Sequence, residues 1–291
     1  MTAKEIKFGL LAECIPYARI GNGSQKLVIF PGLVDAAWDV RSRAWDLPKH
    51  YRRFASEFTV YVVSRKRQMP VGYTTRDMAA DYAKAFKCEI GPAVVMGISL
   101  GGFIAQHFAA EFPQYVQRLV IACAADHQSD EGRLVPERWL ALARQKRWGE
   151  FYFDIAKVTM QEFNHTFYQF LIPLLRMTPA DPSDFLISLE ASMAHDGSES
   201  LGKIRAPTLL IGGTDDVFFP PALLCETARC IPNATLRLIH GCRHGAYELH
   251  KDEFENAVMD FMHEHGTAAT SPSASSAELP AGDMLEPVQP L

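Results

Sequence analysis

Short apolar runs alternate with amphipathic stretches along most of this chain. Lys26-Leu27-Val28-Ile29-Phe30, Phe58 to Ser64, Ala93 to Met96, Val116 to Ala122, Thr208 to Ile211 and Leu236 to Ile239 are brief, nearly continuous apolar runs. Such runs are the mark of strands buried on both faces of a parallel sheet. Helical patterns lie between them at about 48–58, 75–86 and 103–112, and a last one runs from Lys251 to about His265. Thr74 or Thr75 offers an N-cap for the second. Upstream, residues 3–20 form two short polar-apolar stretches before the turn signal Gly21-Asn22-Gly23-Ser24, which together predict an antiparallel edge hairpin. The alternation stops between 127 and 203. There, helical stretches near 136–147, 149–160, 162–176 and 183–195 carry Trp139, Trp148, Phe151, Tyr152, Phe153, Phe163, Phe167, Tyr168, Phe170 and Phe185. Most of these aromatics read as that segment's own core. The tail 266–291 is rich in Ala, Ser and Pro, has little to bury, and is expected to be disordered.

One junction carries candidate chemistry. Gly97-Ile98-Ser99-Leu100-Gly101 lies between a predicted strand and a predicted helix, the setting of a nucleophile elbow that lifts a serine hydroxyl above the carboxyl end of a sheet. Glycine suits positions 97 and 101, where strand and helix backbones approach too closely for side chains. On this elbow, an acid after a later strand and a histidine near the end, the chain resembles the α/β-hydrolase family over about residues 25–125 and 204–265. The resemblance implies a doubly wound, mostly parallel sheet. Its core would be residues 1–126 and 204–265, with 127–203 as a helical cap over the active site.

It also implies roles. Ser99 would be the nucleophile and His244, in Gly241-Cys242-Arg243-His244, the base; His240 and His250 have bland readings as surface or capping residues. The family spacing G-x-x-D-x-x-x-P fits Gly213, Asp216 and Pro220 and selects Asp216 as the acid over Asp215, with Asp126 as the outside alternative. The backbone N–H groups of Leu33 and Leu100 would form the oxyanion hole, Pro31-Gly32-Leu33 standing where the family has His-Gly-X. His107, two helical turns past Ser99, is too far to reach it and reads as structural. A departure follows the strand that ends at Ser64: in place of the family's Asp-x-x-Gly-x-Gly turn stands Ser64-Arg65-Lys66-Arg67-Gln68-Met69-Pro70, whose three basic residues lie near the mouth of the site or on a solvated loop, the second reading being favoured.

Composition narrows the field. Apolar residues make up 48% and charged residues 22% of the 291, the balance of an ordinary soluble globule. Net charge is −5, so no basic face for nucleic acid is expected. No secretion-signal pattern and no run of about 20 apolar residues is seen, which predicts a cytoplasmic protein with no membrane partner. The six cysteines lack metal-site spacing and read as buried or semi-buried thiols, and no phosphate-binding glycine motif calls for a cofactor. The expected activity is a serine esterase or related acyl hydrolase acting on a small to medium, largely apolar acyl substrate. Acyl transfer and plain small-molecule binding on the same scaffold are the alternatives.

Overall fold

The computed structural model describes residues 6–159, 179 and 182–264. Its centre is an eight-stranded sheet in the order β1-β2-β4-β3-β5-β6-β7-β8. The strands are β1 (Ile6–Leu11), β2 (Ile15–Ile20), β3 (Gln25–Phe30), β4 (Phe58–Val63), β5 (Ala93–Ile98), β6 (Val116–Ala122), β7 (Thr208–Gly213) and β8 (Ala234–Ile239). β1 and β2 form the antiparallel edge hairpin, and every pairing from β4 to β8 is parallel. The doubly wound, mostly parallel sheet that the resemblance implies is therefore the one observed, and the apolar runs are its buried strands.

Period-two alternation splits each central strand between two cores. Val28, Phe30, Val95, Leu119 and Ile121 face one cluster with Tyr82, Phe103 and Phe108. Leu27, Ile29, Met96, Ile98 and Val120 face the other, with Leu47, Tyr51, Phe254 and Val258. The first cluster is covered by α2 (Thr75–Ala85) and α3 (Leu100–Glu111), and the second by α1 (Leu47–His50) and the closing helix Lys251–His263. From β3 the chain passes to β4 on one side, and from β5 to β6 on the other. The reversal falls between the adjacent strands β3 and β5, and ligands of open α/β sheets bind at the carboxyl ends beside such a switch point.

Between β6 and β7 the described residues hold α4 (Asp130–Arg144), α5 (Trp148–Thr159), α6 (Ser183–Met193) and α7 (Ser198–Leu201). Trp148, Phe151, Tyr152 and Phe185 are buried against one another, with Phe151 and Phe185 ring centres 5.1 Å apart. Phe163, Phe167, Tyr168, Phe170 and the predicted helix 162–176 lie outside the described residues, as does the tail 266–291. Past β7 come α8 (Pro221–Cys230), α9 (Ala246–Leu249) and α10 (Lys251–His263). Among the described residues no helix is long and apolar enough to cross a membrane.

Three expectations need correction. The helix expected over 48–58 is α1 followed by a 3-10 turn at Phe54–Ser56, because Tyr51 (φ −99°, ψ 17°) leaves helical geometry. Its apolar residues still face the sheet, so the amphipathic pattern outlives the break. Helix α4 starts at Asp130 rather than near 136, since Ser129 caps it through the Gly132 N–H and Pro136 is tolerated inside. Cys14, Cys88 and Cys230 are exposed, in a hairpin turn, a π-helical turn and at the end of α8, whereas Cys123 and Cys242 are buried.

His107 is structural, as expected: it is 4% exposed and its Nδ1 lies 2.9 Å from Ser200 Oγ. Beside it, His195 stacks on Phe103 at 4.0 Å and meets Thr75 Oγ1 through Nδ1 at 2.9 Å. Burial, with Arg76 adding to it, pushes the His107 imidazole down to about 4, and burial holds His195 well below the usual histidine range. Both are neutral when folded but take up protons near pH 6.5 when unfolded, so stability is whole above about pH 6.5 and declines as pH falls toward 4. The melting temperature should therefore drop between pH 7.5 and pH 5, and His107→Gln should flatten that slope. An equal slope in the variant would remove His107 as a source.

Candidate active site

Ser99 sits at the tip of β5 with φ 53° and ψ −119°, a strained conformation for a residue with a Cβ. It is pinned there on both sides. Its N–H donates to Ala122 O of β6 at 2.8 Å, and its C=O accepts from Gly102 N at 2.7 Å as α3 begins. The glycines around it are steric necessities: a Cβ on Gly101 would overlap the Phe30 carbonyl oxygen, and one on Gly97 would overlap that of Gly101.

The loops after β7 and β8 are tied to each other. Asp215 N donates to Cys242 O at 2.9 Å and Gly241 N to Thr214 Oγ1 at 2.9 Å, and a Cβ on Gly213 would collide with the Cys242 carbonyl. This close approach sets two side chains in register. His244 Nδ1 lies 2.8 Å from Asp216 Oδ2, and His244 Nε2 lies 2.9 Å from Ser99 Oγ. Asp216 is 2% exposed, and its other oxygen accepts from Phe218 N at 2.9 Å, so the carboxylate is held without rotation. With Nδ1 facing a carboxylate, the proton of a neutral His244 belongs on Nδ1, which leaves Nε2 as an acceptor toward the serine. Phe218 shields the imidazole at a ring separation of 4.7 Å.

The other candidates lie apart from this row. Asp215 is exposed and takes a hydrogen bond from Thr214, and Asp126 is engaged by Thr227 and His127. His240 is exposed, and His250 occupies the N-cap position of α10.

Leu33 opens a 3-10 turn (Leu33–Ala36) after β3 and Leu100 opens α3, so neither N–H has an acceptor within its own helix. Both border the same cavity as Ser99 and His244, a space of about 30 Å³. Its walls include Phe103, Trp139, Leu189 and Phe218. Gln128 and Ser192, which sequence reasoning did not single out, add polar atoms, and Gln128 Oε1 is buried with no partner among the described residues. No sequence signal marks Gln128.

The basic run after β4 overturns its expectation. Arg65 is 2% exposed, not solvated, and Lys66 and Arg67 are half-buried. Lys66 meets Tyr73 and Asp81, while Arg67 donates to Ala36 O and Asp35 O. The chain lacks the family's glycine turn here, and polar groups from the 31–36 segment fill the space with ion pairs and charge-assisted hydrogen bonds instead.

A sequence model of the alpha/beta hydrolase family matches residues 27–257. The chain belongs to this family. Among curated proteins, a 2-hydroxy-6-oxononadienedioate/2-hydroxy-6-oxononatrienedioate hydrolase of a Pseudomonas species is 25% identical over 83% of this chain and 89% of that protein. A pimeloyl-[acyl-carrier protein] methyl ester esterase of Neisseria meningitidis is 29% identical over 59% of this chain and 57% of that one. A stretch covering 33% of this chain is 35% identical to polyketide synthase ThaQ of Burkholderia thailandensis, of which it spans 5%. In solved structures, an alpha/beta hydrolase from a Medee basin deep-sea metagenome library superposes with TM-score 0.77 at 20% identity, covering 91% of this chain and all (100%) of that one. The enol-lactonase of Burkholderia xenovorans gives TM-score 0.73 at 19% identity, covering 89% and 100%.

The geometry makes the two neighbouring aspartates unequal. Asp216→Asn should slow covalent capture of Ser99 by a fluorophosphonate by up to about 10⁴-fold, because an amide at that position favours the wrong imidazole tautomer. Asp215→Asn should slow it less than about tenfold, a loss confined to one exposed charge. Comparable losses in the two variants would make the register after β7 irrelevant to the serine.

Proposed function

We propose that this chain is a cofactor-free serine hydrolase that cleaves an ester, or a related acyl bond, of a small to medium, largely apolar substrate. The observation that carries it is the hydrogen-bonded row Ser99–His244–Asp216 at 2.9 and 2.8 Å, raised on a strained turn at the sheet's switch point. In this reading residues 127–203 act as a cap over the site, with Trp139 and Leu189 as its contribution to the cavity wall.

The reaction follows from the atoms present. His244 Nε2 takes the Ser99 hydroxyl proton as Oγ attacks the acyl carbon, and Asp216 stabilises the imidazolium that results. The Leu33 and Leu100 N–H groups receive the carbonyl oxygen as it becomes an oxyanion, a term worth about 3 kcal/mol per donor, and the α3 N-terminus adds its dipole. Collapse of the tetrahedral adduct breaks the bond to the leaving alkoxide, which takes the proton from Nε2. Water then attacks the acyl-enzyme with His244 again as base, releasing the carboxylic acid and restoring Ser99. Esterase and enol-lactonase among the relatives and structural neighbours support acyl chemistry, and the dienedioate hydrolase keeps carbon–carbon cleavage by the same serine as the second reading.

A panel of p-nitrophenyl esters with fluorophosphonate labelling read by mass spectrometry tests this. Turnover with the label on Ser99 is expected, and Ser99→Ala should lose several powers of ten in kcat while folding normally. Absence of both turnover and label in the wild type would remove the hydrolase reading. Trp139 and Leu189 wall the cavity beside Ser99, which predicts a preference for short acyl chains, with Trp139→Ala shifting it toward longer ones. An unchanged chain-length profile in that variant would place the acyl group elsewhere.

A further inference from the structure

The geometry points to Arg65 as a positioning residue that clamps and polarises the oxyanion turn. The inference rests on the serine-hydrolase reading above for its effect on rate, though not for its effect on the turn. Arg65 Nη1 donates to Pro31 O at 2.9 Å, and Nη2 donates to Gly32 O at 2.9 Å and to Leu33 O at 3.3 Å. One planar guanidinium thus holds three successive carbonyls. Nη2 also lies 3.7 Å from Asp35 Oδ2, and that carboxylate accepts the Arg65 N–H at 3.2 Å and the Ser64 hydroxyl at 2.7 Å. Arg67 takes the carbonyls of Asp35 and Ala36.

The Gly32 carbonyl matters most. It belongs to the same peptide unit as the Leu33 N–H, and in a trans peptide the two groups point in opposite directions. A buried cation bonded to the oxygen draws electron density toward it, making the N–H at the other end a stronger donor; hydrogen-bonded groups polarise one another in this way at low dielectric. The same bond fixes the direction in which that N–H points. In the segment that departs from the family's turn, this chain places a fixed positive charge on the far side of the oxyanion peptide. A lysine could supply the charge but not a planar fork that reaches neighbouring carbonyls together.

The test compares wild type with Arg65→Lys and Arg65→Met. If the clamp acts, kcat on a short p-nitrophenyl ester should fall about tenfold in the lysine variant and about 10²-fold in the methionine variant, the scale of losing an oxyanion donor, while KM changes less than about threefold. Affinity for an alkyl boronic acid, whose serine adduct places an oxygen in the oxyanion hole, should fall in step with kcat. Hydrogen exchange of a peptide spanning residues 31–38 should speed up in the methionine variant. Loss of kcat with boronate affinity unchanged, or with KM worsening in parallel, would mean Arg65 only supports the fold, and overturns the inference. Unchanged exchange over residues 31–38 overturns it as well. A wild type that neither turns over esters nor takes a fluorophosphonate would sink the hydrolase reading, and the exchange comparison would still decide whether Arg65 holds the turn.

Discussion

The backbone contact between Gly101 and the Phe30 carbonyl is the constraint on which the site's geometry depends. Because neither Gly97 nor Gly101 presents a side chain, α3 begins almost on top of the ends of β3 and β5. Ser99 is thereby forced to a positive φ at the one place where the sheet changes winding direction. The strain is of order 1–3 kcal/mol and is held by the Ser99 N–H to Ala122 and by the buried packing of α3 between the sheet and α2. Any side chain at Gly101 would separate β3 from α3. That would pull apart Leu33, which follows β3, and Leu100, which opens the helix.

Parallel strands make the remaining convergence almost automatic. When β3, β5, β7 and β8 all run the same way, the loops that leave them emerge at one edge, so residues 33, 99, 216 and 244 meet although they are far apart in sequence. What the topology leaves undetermined is register at the level of one residue. Here it is decided by contacts that only small groups permit: Gly213 against Cys242 O, and Gly241 N on Thr214 Oγ1. Shift that pairing by one residue and Asp215, not Asp216, would face inward.

The same reasoning explains what was readable in the chain. Strands buried on both faces write continuous apolar runs, which made the sheet legible, and the resemblance to the family's glycine and proline spacings pointed to Ser99, Asp216 and His244, which the structure sets in one hydrogen-bonded row. Arg65 could not be named for its contacts. Its partners are main-chain carbonyls more than thirty residues upstream, and a carbonyl has no residue identity to pattern on. A run of three basic residues therefore looked solvated, when its charges were in fact spoken for by Asp35, Asp81 and the 31–36 backbone. Gln128 was silent for a similar reason: only the third dimension places it beside Phe103 and Ser192. The first turns of α4 carry little apolar periodicity, so the pattern shows the helix only from about 136, while its cap, Ser129, lies seven residues earlier and Pro136 sits inside.

Burying a guanidinium is costly, and a buried ion pair contributes little net stability compared with apolar residues of the same volume. Stability alone therefore does not account for Arg65 and Asp35. Geometry does: a 3-10 turn of four residues has few hydrogen bonds of its own, and its carbonyls would otherwise point into a dry interior. The network reaches further, because Asp184 on α6 accepts from Gln68 N at 3.0 Å and Met69 N at 2.8 Å, tying the segment after β4 to the helices between β6 and β7. Arg67 sits within 4.0 Å of that same carboxylate while holding Ala36 O. A continuous polar path thus runs from α6 through Arg67 to the turn that opens at Leu33. Any displacement of α6 that moved Asp184 would be felt first at Gln68, Met69 and Arg67, and through Arg67 at the Asp35 and Ala36 carbonyls that end the turn opening at Leu33.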